Sequence, residues 1–263
     1  KTMSKLFDLN IELIDKNKMR YIPLSNSIYK RNRRNFMNEM KGNSMAVFNS
    51  NDIYPVSADS ELPFEQHRDI FHLTGIDQEE TILLLYPPSK DDKTREILFI
   101  RKSDNHTKVW EGEKLSKKQA NELSGIDSIY FIDDFKDILS SIATKVDTFY
   151  INKNEHYRAN SPVETREDRF ISWLLKKYPA HNVAKSNPIL QRQRSIKHPD
   201  EIDQIKKACD ITRKGFNRVL EFIKPNVWEY EIEAEFIHEF INSSSKGFAY
   251  SPIIASGNDN NVL

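Results

Sequence analysis

The sequence predicts an α/β fold, followed along the chain by a mainly helical region. Short apolar runs of strand length, rich in Ile, Val, Leu, Phe and Tyr, recur through the first part of the chain. They lie at residues 45–48, 81–86, 96–100, 129–132 and 148–151. Helical patterns separate or follow them at residues 26–40, 116–123, 134–145 and 164–178. This alternation of strands and helices indicates a mixed sheet with flanking helices.

The first predicted helix, residues 26–40, is basic and amphipathic. Ile28 and Phe36 stand among Lys and Arg, Ser25 or Asn26 can cap the start, and Gly42 ends the pattern. We predict that the basic run at residues 30–34 is a solvated helix face.

Two helices are predicted near the end of the chain. Pro199 suits a first helical position, and an apolar stripe at three-four spacing then runs to Ile223 before Pro225 stops it. Cys209 falls on this stripe and is predicted to be a small core residue. In the second helix, residues 229–242, Glu233 projects inside the apolar arc. We predict a buried structural carboxylate with a partner, Arg192 and Arg194 being candidates.

The composition excludes several classes of protein. The 39 basic and 39 acidic residues balance, which argues against nucleic-acid binding. A single cysteine excludes an internal disulfide and fits a reducing, cytoplasmic compartment. No run approaches the roughly 18 apolar residues of a membrane span. Residues 1–18 read as an N-terminal tail, with Met19 as a plausible natural start.

A change of pattern near residues 180–190 predicts a domain boundary. Pro179 closes a helix, and Asn187 followed by Pro188 indicates a turn or an extended dipeptide. Residues 188–197 then read as a linking strand. The predicted domains are therefore 19–187 and 188–263, after the tail.

Common catalytic signatures are missing from the sequence. It contains no glycine-rich phosphate loop and no G-x-S-x-G motif. His238 and Glu239 begin an H-E-x-x-H pattern, but its last position is Asn242. His67 and His72 are spaced poorly for a shared helical site and are predicted to be surface or hydrogen-bonded histidines.

Three segments in order carry a family resemblance. They are S-A-D-S-E-L-P-F-E-Q-H-R-D-I-F-H-L-T-G from Ser57, V-W-E-G from Val109, and the block from Arg194 that ends in F-A-Y-S-P-I-I-A-S-G-N-D-N-N-V-L. Together they resemble the Xaa-Pro aminopeptidases, also called aminopeptidases P. The resemblance implies a creatinase-like N-terminal domain with a mixed sheet, followed by the incomplete start of an α+β pita-bread catalytic domain.

That family removes the first residue of peptides whose second residue is proline. It uses two bridged divalent cations, commonly Mn²⁺, which can generate hydroxide and stabilise the oxyanion. The resemblance implies that the ligands, two Asp, one His and two Glu, would follow Leu263. The chain as given is therefore expected to be inactive alone and to serve oligomerisation, as a homodimer or homotetramer, and substrate access. An exposed apolar patch and self-association are also expected.

Three residues match positions that contribute to the family's site, and each match has an alternative. Tyr250 matches a tyrosine whose hydroxyl lies beside a metal-ligating carboxylate, but could be a half-buried strand residue. Trp110 matches a tryptophan that reaches a neighbouring subunit's cleft, but could be a sheet-edge aromatic. For Asp59 the resemblance implies a place at the same inter-subunit rim, and the alternative is a cap of the local turn. A rival function for the chain is a non-catalytic, pita-bread-like module that binds peptides or proteins.

Overall fold

The computed structural model describes residues 21, 23–156 and 162–261, so the predicted tail at residues 1–18 lies outside the described part. The chain forms two compact units: Leu24–Ile196, called here the N-terminal unit, and the residues from Lys197 onward with the described residues 21 and 23, called the C-terminal unit. The helices of the N-terminal unit are α1 (Asn26–Glu39), α2 (Arg68–Thr74), α3 (Asp92–Arg95), α4 (Asn105–Trp110), α5 (Lys117–Ser124), α6 (Phe135–Ala143), α7 (Arg166–Lys177) and α8 (Asn187–Ser195). Its strands are β1 (Ser44–Asn49), β2 (Ile82–Leu85), β3 (Glu96–Ile100), β4 (Ser128–Phe131), β5 (Thr148–Ile151) and β6 (Asn182–Lys185).

Within the described residues, six strands form one mixed sheet in the order β4-β3-β2-β1-β5-β6. The β1–β2 and β2–β3 pairs are antiparallel, whereas β3–β4, β1–β5 and β5–β6 are parallel. The predicted α/β class and the mixed sheet with flanking helices are confirmed, and the five predicted strands are present with bounds shifted by at most a residue.

The central strands β1, β2 and β3 are buried on both faces. Because side chains alternate along a strand, each face packs into a separate core. On one face Phe48 and Leu83 pack with residues of α1, α2 and α8, among them Phe36. On the other face Val47 and Phe99 pack with α6 and α7. The N-terminal unit is therefore a three-layer structure in which each helix layer covers one apolar face.

The linking strand expected at residues 188–197 is wrong, because most of this segment is the helix α8. Pro188 occupies an early helical position, where its missing N–H costs no hydrogen bond. Ile189 and Leu190 bury their side chains in the core beside α1. Helix α8 thus belongs to the N-terminal unit, and the division lies at 196/197 rather than at 187/188.

The basic run of α1 is not a solvated face throughout. Arg33 is fully buried, and its Nε donates to Glu96 Oε2 at 2.8 Å. Its Nη1 donates to the carbonyl oxygens of Leu73 at 2.8 Å and Ser124 at 3.0 Å. This one guanidinium therefore ties α1 to β3 and to the ends of α2 and α5.

The C-terminal unit contains α9 (Pro199–Phe222) and α10 (Glu229–Asn242), followed by a 3₁₀ turn at Gly257–Asn261. Both predicted helices are confirmed. They meet at Gly215, where an added Cβ would lie 2.9 Å from Phe236 Cδ1 and 2.9 Å from Phe240 Cε1. The buried residues of this small core are Val219, Phe236 and Phe240.

The core position predicted for Cys209 is wrong, since this residue is exposed. Helix α9 has 24 residues and α10 has 14, and the buried residues of α9 are Gly215 and Val219. The apolar stripe of α9 therefore extends beyond its contact with α10. Within the described residues, no helix has the length and apolar composition needed to cross a bilayer.

Candidate functional site

Tyr250 lies in the segment that follows α10 in the C-terminal unit. It is 81% exposed, which excludes the half-buried strand position considered as its alternative. Its hydroxyl makes no hydrogen bond to any described residue. The phenol is therefore available to a partner outside the described structure.

Packing contacts and a hydrogen bond anchor the segment around Tyr250 on both sides of this residue. Before it, Phe248 packs edge-on against Phe240, with ring centroids 5.0 Å apart. After it, Ile254 joins the small core. The backbone N–H of Ser256 donates to Glu229 Oε1 at 2.9 Å, at the start of α10. The exposed tyrosine thus stands on a segment anchored to α10.

Trp110 lies at the end of α4 in the N-terminal unit, beside Val109, and both side chains are 76% exposed. Asp104 caps this short helix by accepting from the Thr107 N–H at 2.7 Å. Thr107 is buried. Trp110 is accordingly a helix residue rather than the sheet-edge aromatic considered from the sequence.

An ion-pair network holds the chain directly after Trp110. Arg101 Nη1 and Nη2 lie 2.6 and 2.9 Å from the two carboxylate oxygens of Glu111, and Nη1 also donates to Glu79 at 3.1 Å. Lys114 Nζ lies 2.6 Å from Glu79 and 3.2 Å from Glu111. The hydrogen bond from Arg101 is the main cause that lowers the pKa of Glu111; burial opposes it, and Lys114 lowers the pKa further.

Sequence reasoning missed this network. The signal was present, because Glu79 precedes β2 and Arg101 follows β3, and these strands are antiparallel neighbours. The start of β2 and the end of β3 therefore lie at the same end of this strand pair, which brings Glu79 and Arg101 together.

Asp59 is exposed in a tight turn of the N-terminal unit. Backbone bonds close this turn: Val56 and Ser57 N–H both donate to the Ser60 carbonyl, at 2.7 and 3.2 Å. Within the described residues the Asp59 carboxylate accepts no hydrogen bond, so the capping role considered for it is not seen. No hydrogen bond or ion pair joins Asp59 to Trp110 in this part of the chain.

Glu233 is partly exposed rather than buried. The buried face of α10 is centred on Phe236 and Phe240, and Glu233 lies at its flank. Among the described residues it forms no ion pair; the paired carboxylate of this helix is Glu235, which contacts Arg218 of α9. The two candidate partners are engaged within the N-terminal unit, Arg192 with Glu39 and Arg194 with Asp69.

A buried polar cluster joins α2, α8 and the end of β5. Asp69 Oδ1 lies 2.6 Å from Arg194 Nη1, and Asp69 Oδ2 accepts from Asn152 Nδ2 at 3.0 Å. His67 caps α2 through Nδ1, and burial lowers its pKa against the attraction of Asp69. His72 Nδ1 lies 3.4 Å from Asn32 Nδ2. The prediction that both histidines are hydrogen-bonded or at the surface is confirmed.

Within the described residues, no group of three or more His, Cys, Asp or Glu side chains is placed to hold a metal ion. The described side chains therefore do not fit a two-metal centre, and they provide no metal-dependent step by themselves.

Two family descriptions match this chain, in this order. Residues 29–150 match the N-terminal domain of aminopeptidase P, and residues 203–263 match metallopeptidase family M24. The first match covers the larger part of the N-terminal unit, including Trp110 and Asp59. The second covers most of the C-terminal unit, including Tyr250.

Individual relatives give the same result. The Xaa-Pro aminopeptidase of Escherichia coli is 26% identical over 246 residues, covering 91% of this chain and 54% of the relative. That of Haemophilus influenzae is 27% identical over 208 residues, covering 78% and 45%. The structure of zinc-substituted E. coli aminopeptidase P in complex with product superposes with a TM-score of 0.72 at 26% identity, covering 84% of this chain and 50% of that one.

The chain therefore spans about half the length of the relatives it matches. The family match runs through both units, and the matched metallopeptidases include a structure that holds a divalent metal. Over residues 29–150 and 203–263, in that order, the chain is therefore similar to the aminopeptidases P of metallopeptidase family M24.

Proposed function

We propose that this chain supplies the N-terminal domain and the active-site rim of an enzyme that releases the first residue from peptides with proline in second position. The observation that carries the proposal is the order of its two family matches, with an exposed, anchored Tyr250 inside the second. The X-Pro bond is a tertiary amide without an N–H, so a dedicated peptidase is chemically reasonable.

In this proposal the N-terminal unit acts in assembly and access. Trp110 is exposed on a helix fixed by ion pairs, which suits a side chain that contacts a neighbouring subunit or a peptide. Asp59 is exposed and free of intramolecular hydrogen bonds in the described structure, which suits the same rim. The assembly would be a homodimer or a homotetramer, and its ligands proline-containing peptides rather than nucleic acid or membranes.

The cofactor in this proposal is a pair of divalent cations, Mn²⁺ being the preferred ion. The similar proteins support the use of a divalent metal in general, and the choice of Mn²⁺ is part of this proposal. Since the described residues offer no metal-binding group, residues 1–263 alone are expected to be inactive. The single, exposed cysteine fits a reducing cytoplasmic compartment.

The test begins with the complete reading frame that contains this chain. The purified product should release the first residue of an Xaa-Pro tripeptide with added Mn²⁺ and should lose this activity with a chelator. Residues 1–263 alone should show no release above a metal-only blank. Release by residues 1–263 that a chelator abolishes would contradict the expected inactivity.

Variants of the complete product then test the individual residues. Tyr250→Phe should lower kcat by about tenfold or more if the hydroxyl acts at the site. Tyr230→Phe is the matched control, because it removes an exposed tyrosine hydroxyl from the same unit. Trp110→Ala should raise KM or reduce the assembly mass. A complete product that binds Xaa-Pro peptides without cleaving them would favour the non-catalytic binding module instead.

A further inference from the structure

A cleft of about 520 Å³ opens on the N-terminal unit, and neither Trp110 nor Asp59 lines it. One wall is a single stripe of α1, in which Ser27, Lys30, Arg34 and Met37 recur at three-four spacing. The opposite walls come from α3 with the first residue of β3, and from the loop after α5. This volume lies within the usual range for small-molecule sites.

The cleft is basic. Five basic residues line it, namely Lys30, Arg31, Arg34, Lys93 and Arg95, against three acidic ones. Each acid already has a partner: Asp92 lies 3.0 Å from Arg95, Glu96 accepts from buried Arg33 at 2.8 Å, and Asp127 accepts from Asn121 Nδ2 at 2.9 Å. The acids therefore leave part of the positive charge uncompensated.

Three of the lining cations have no counter-charge. Lys30, Arg34 and Lys93 make no ion pair and no side-chain hydrogen bond in the described part of the chain. Lys30 and Arg34 stand one turn apart on the same helix face, an arrangement that weakens an isolated helix by repulsion. An anion bound between them would attract both side chains and offset their mutual repulsion.

The α1 wall, which carries Lys30 and Arg34, is fixed in place. Gly125 has a φ of +70°, and a Cβ there would lie 2.1 Å from Lys30 Cε. The aliphatic stem of Lys30 thus rests on the glycine. Behind Glu96, Arg33 is fully buried, and its Nη2 has no hydrogen-bond partner among the described residues.

We propose that this cleft binds a small anion that carries several phosphate groups, held by Lys30, Arg34 and Lys93. A guanidinium can bind two phosphate oxygens at once, whereas the two lysines act as point charges. The Ser27 hydroxyl adds a donor to the same wall. Among the described residues that line the cleft, Met37 is the one large apolar side chain and none is aromatic. The site therefore recognises the phosphate chain and offers no surface on which a nucleobase could stack.

Isothermal titration of residues 1–263 with sodium tripolyphosphate tests the site. One saturable site is expected, with an affinity that falls as salt is added. Lys30→Gln and Arg34→Gln should each weaken binding by about tenfold, the loss expected for one charge-assisted contact. Lys176→Gln on α7 removes the same charge from an exposed position outside the cleft and should leave binding unchanged.

Two further measurements keep the test decisive. Lys30→Arg keeps the charge and should bind within a few-fold of the parent chain, whereas Arg34→Lys keeps the charge but loses the two-oxygen contact and should bind between the parent and Arg34→Gln. Thermal melts should show that every variant is folded. ATP should bind no tighter than tripolyphosphate, and AMP more weakly than both. Absence of saturable binding up to about 1 mM, equal weakening by Lys176→Gln, or tighter binding of ATP would overturn the proposal.

Discussion

The two units bury their apolar residues to very different extents. In the N-terminal unit both faces of the sheet are covered, and side chains such as Phe48 and Leu83 are completely buried. In the C-terminal unit the buried apolar residues are Val219, Phe236 and Phe240, while Phe216 and Leu220 are 55% and 71% exposed. Burial of apolar area is the main favourable term in folding, so the N-terminal unit carries most of the stability of the chain.

The difference also separates two kinds of surface. In the N-terminal unit the exposed apolar side chains Val109 and Trp110 stand on a helix followed by an ion-pair network. In the C-terminal unit Phe216, Leu220 and Ile223 follow one face of α9 at three-four spacing. The Val109–Trp110 pair is therefore a small exposed patch held in place by its surroundings. The side chains on α9 form a continuous apolar stripe, and such stripes commonly mark contact surfaces.

The largest expected effect compares one core phenylalanine with one exposed one. Phe48→Ala should lower the free energy of unfolding by about 3–5 kcal/mol, because it empties a closed core. Phe216→Ala should cost less than about 1 kcal/mol, since the ring is more than half exposed. Urea denaturation of both variants measures these values. Similar losses of unfolding free energy at the two positions would show that the stability of both units depends equally on side-chain packing.

The second prediction concerns neighbouring arginines on α1. Arg33→Ala should cost about 3 kcal/mol or more, because it leaves Glu96 and the carbonyls of Leu73 and Ser124 without their donor. Arg34→Ala, at the adjacent exposed position, should change stability by less than about 0.5 kcal/mol. Equal effects in urea denaturation would mean that the buried guanidinium does not join the layers of this unit.

The third prediction tests the stripe on α9. Residues 1–263 should self-associate, because exposed apolar area is removed from water on contact. Leu220→Lys should reduce the mass measured by light scattering and leave the melting temperature nearly unchanged, since Leu220 is 71% exposed. Lys207→Gln on the same helix is a control that should not lower the mass. A mass that Leu220→Lys does not change would exclude the stripe as the contact.

The smallest effect is a pH dependence within the N-terminal unit. Burial raises the pKa of Glu167, against hydrogen bonds from Asn49 and the Asn152 N–H. Its contribution to stability is then full below the ordinary glutamate pKa and is lost as pH rises through the raised pKa of the folded state. Relative to Glu167→Gln, the parent should lose stability with rising pH, by at most about 1.4 kcal/mol per pH unit.

Asp168, the next residue on α7, provides a control of opposite sign. Hydrogen bonds from Thr165 lower its pKa. Its contribution should therefore be present above the ordinary aspartate pKa and be lost as pH falls through the lowered value. Urea denaturation of Glu167→Gln and Asp168→Asn across about pH 2–8 should give slopes that differ from the parent in opposite directions, the Asp168 difference lying below the ordinary aspartate pKa and the Glu167 difference above the ordinary glutamate pKa. Slopes of the same sign would contradict the assignment for Glu167.

Elements with a repeating apolar pattern are predicted well from the sequence. The five strands, the helix α1 with its Ser25 cap, and the helices α9 and α10 follow from apolar periodicity and from caps and prolines at helix ends. The sequence pattern fails at α8, where Pro188 predicts an extended chain. A proline fits both an extended dipeptide and a first helical turn, and only the core contacts of Ile189 and Leu190 select the helix.

Part of the candidate site was also available from the sequence. The matches at Tyr250, Trp110 and Asp59 come from short motifs in order, and the structure adds that all three are exposed. Glu233 was misplaced because a helical wheel gives angles between side chains but not the direction of the partner helix. Helix α9 packs against the Phe236–Phe240 face, which leaves Glu233 at the flank.

By itself the sequence determined the α/β class, five of the six strands in their order and the resemblance to a family, because these depend on local periodicity and on motifs that are contiguous in the chain. The tertiary structure alone decided which charged side chains are buried or paired. Arg33 lies inside the N-terminal unit although it stands in a basic run, and Arg101 joins carboxylates that are distant in sequence. The reason is physical: burial and ion pairing depend on distances across the fold, which the spacing of residues along the chain does not specify.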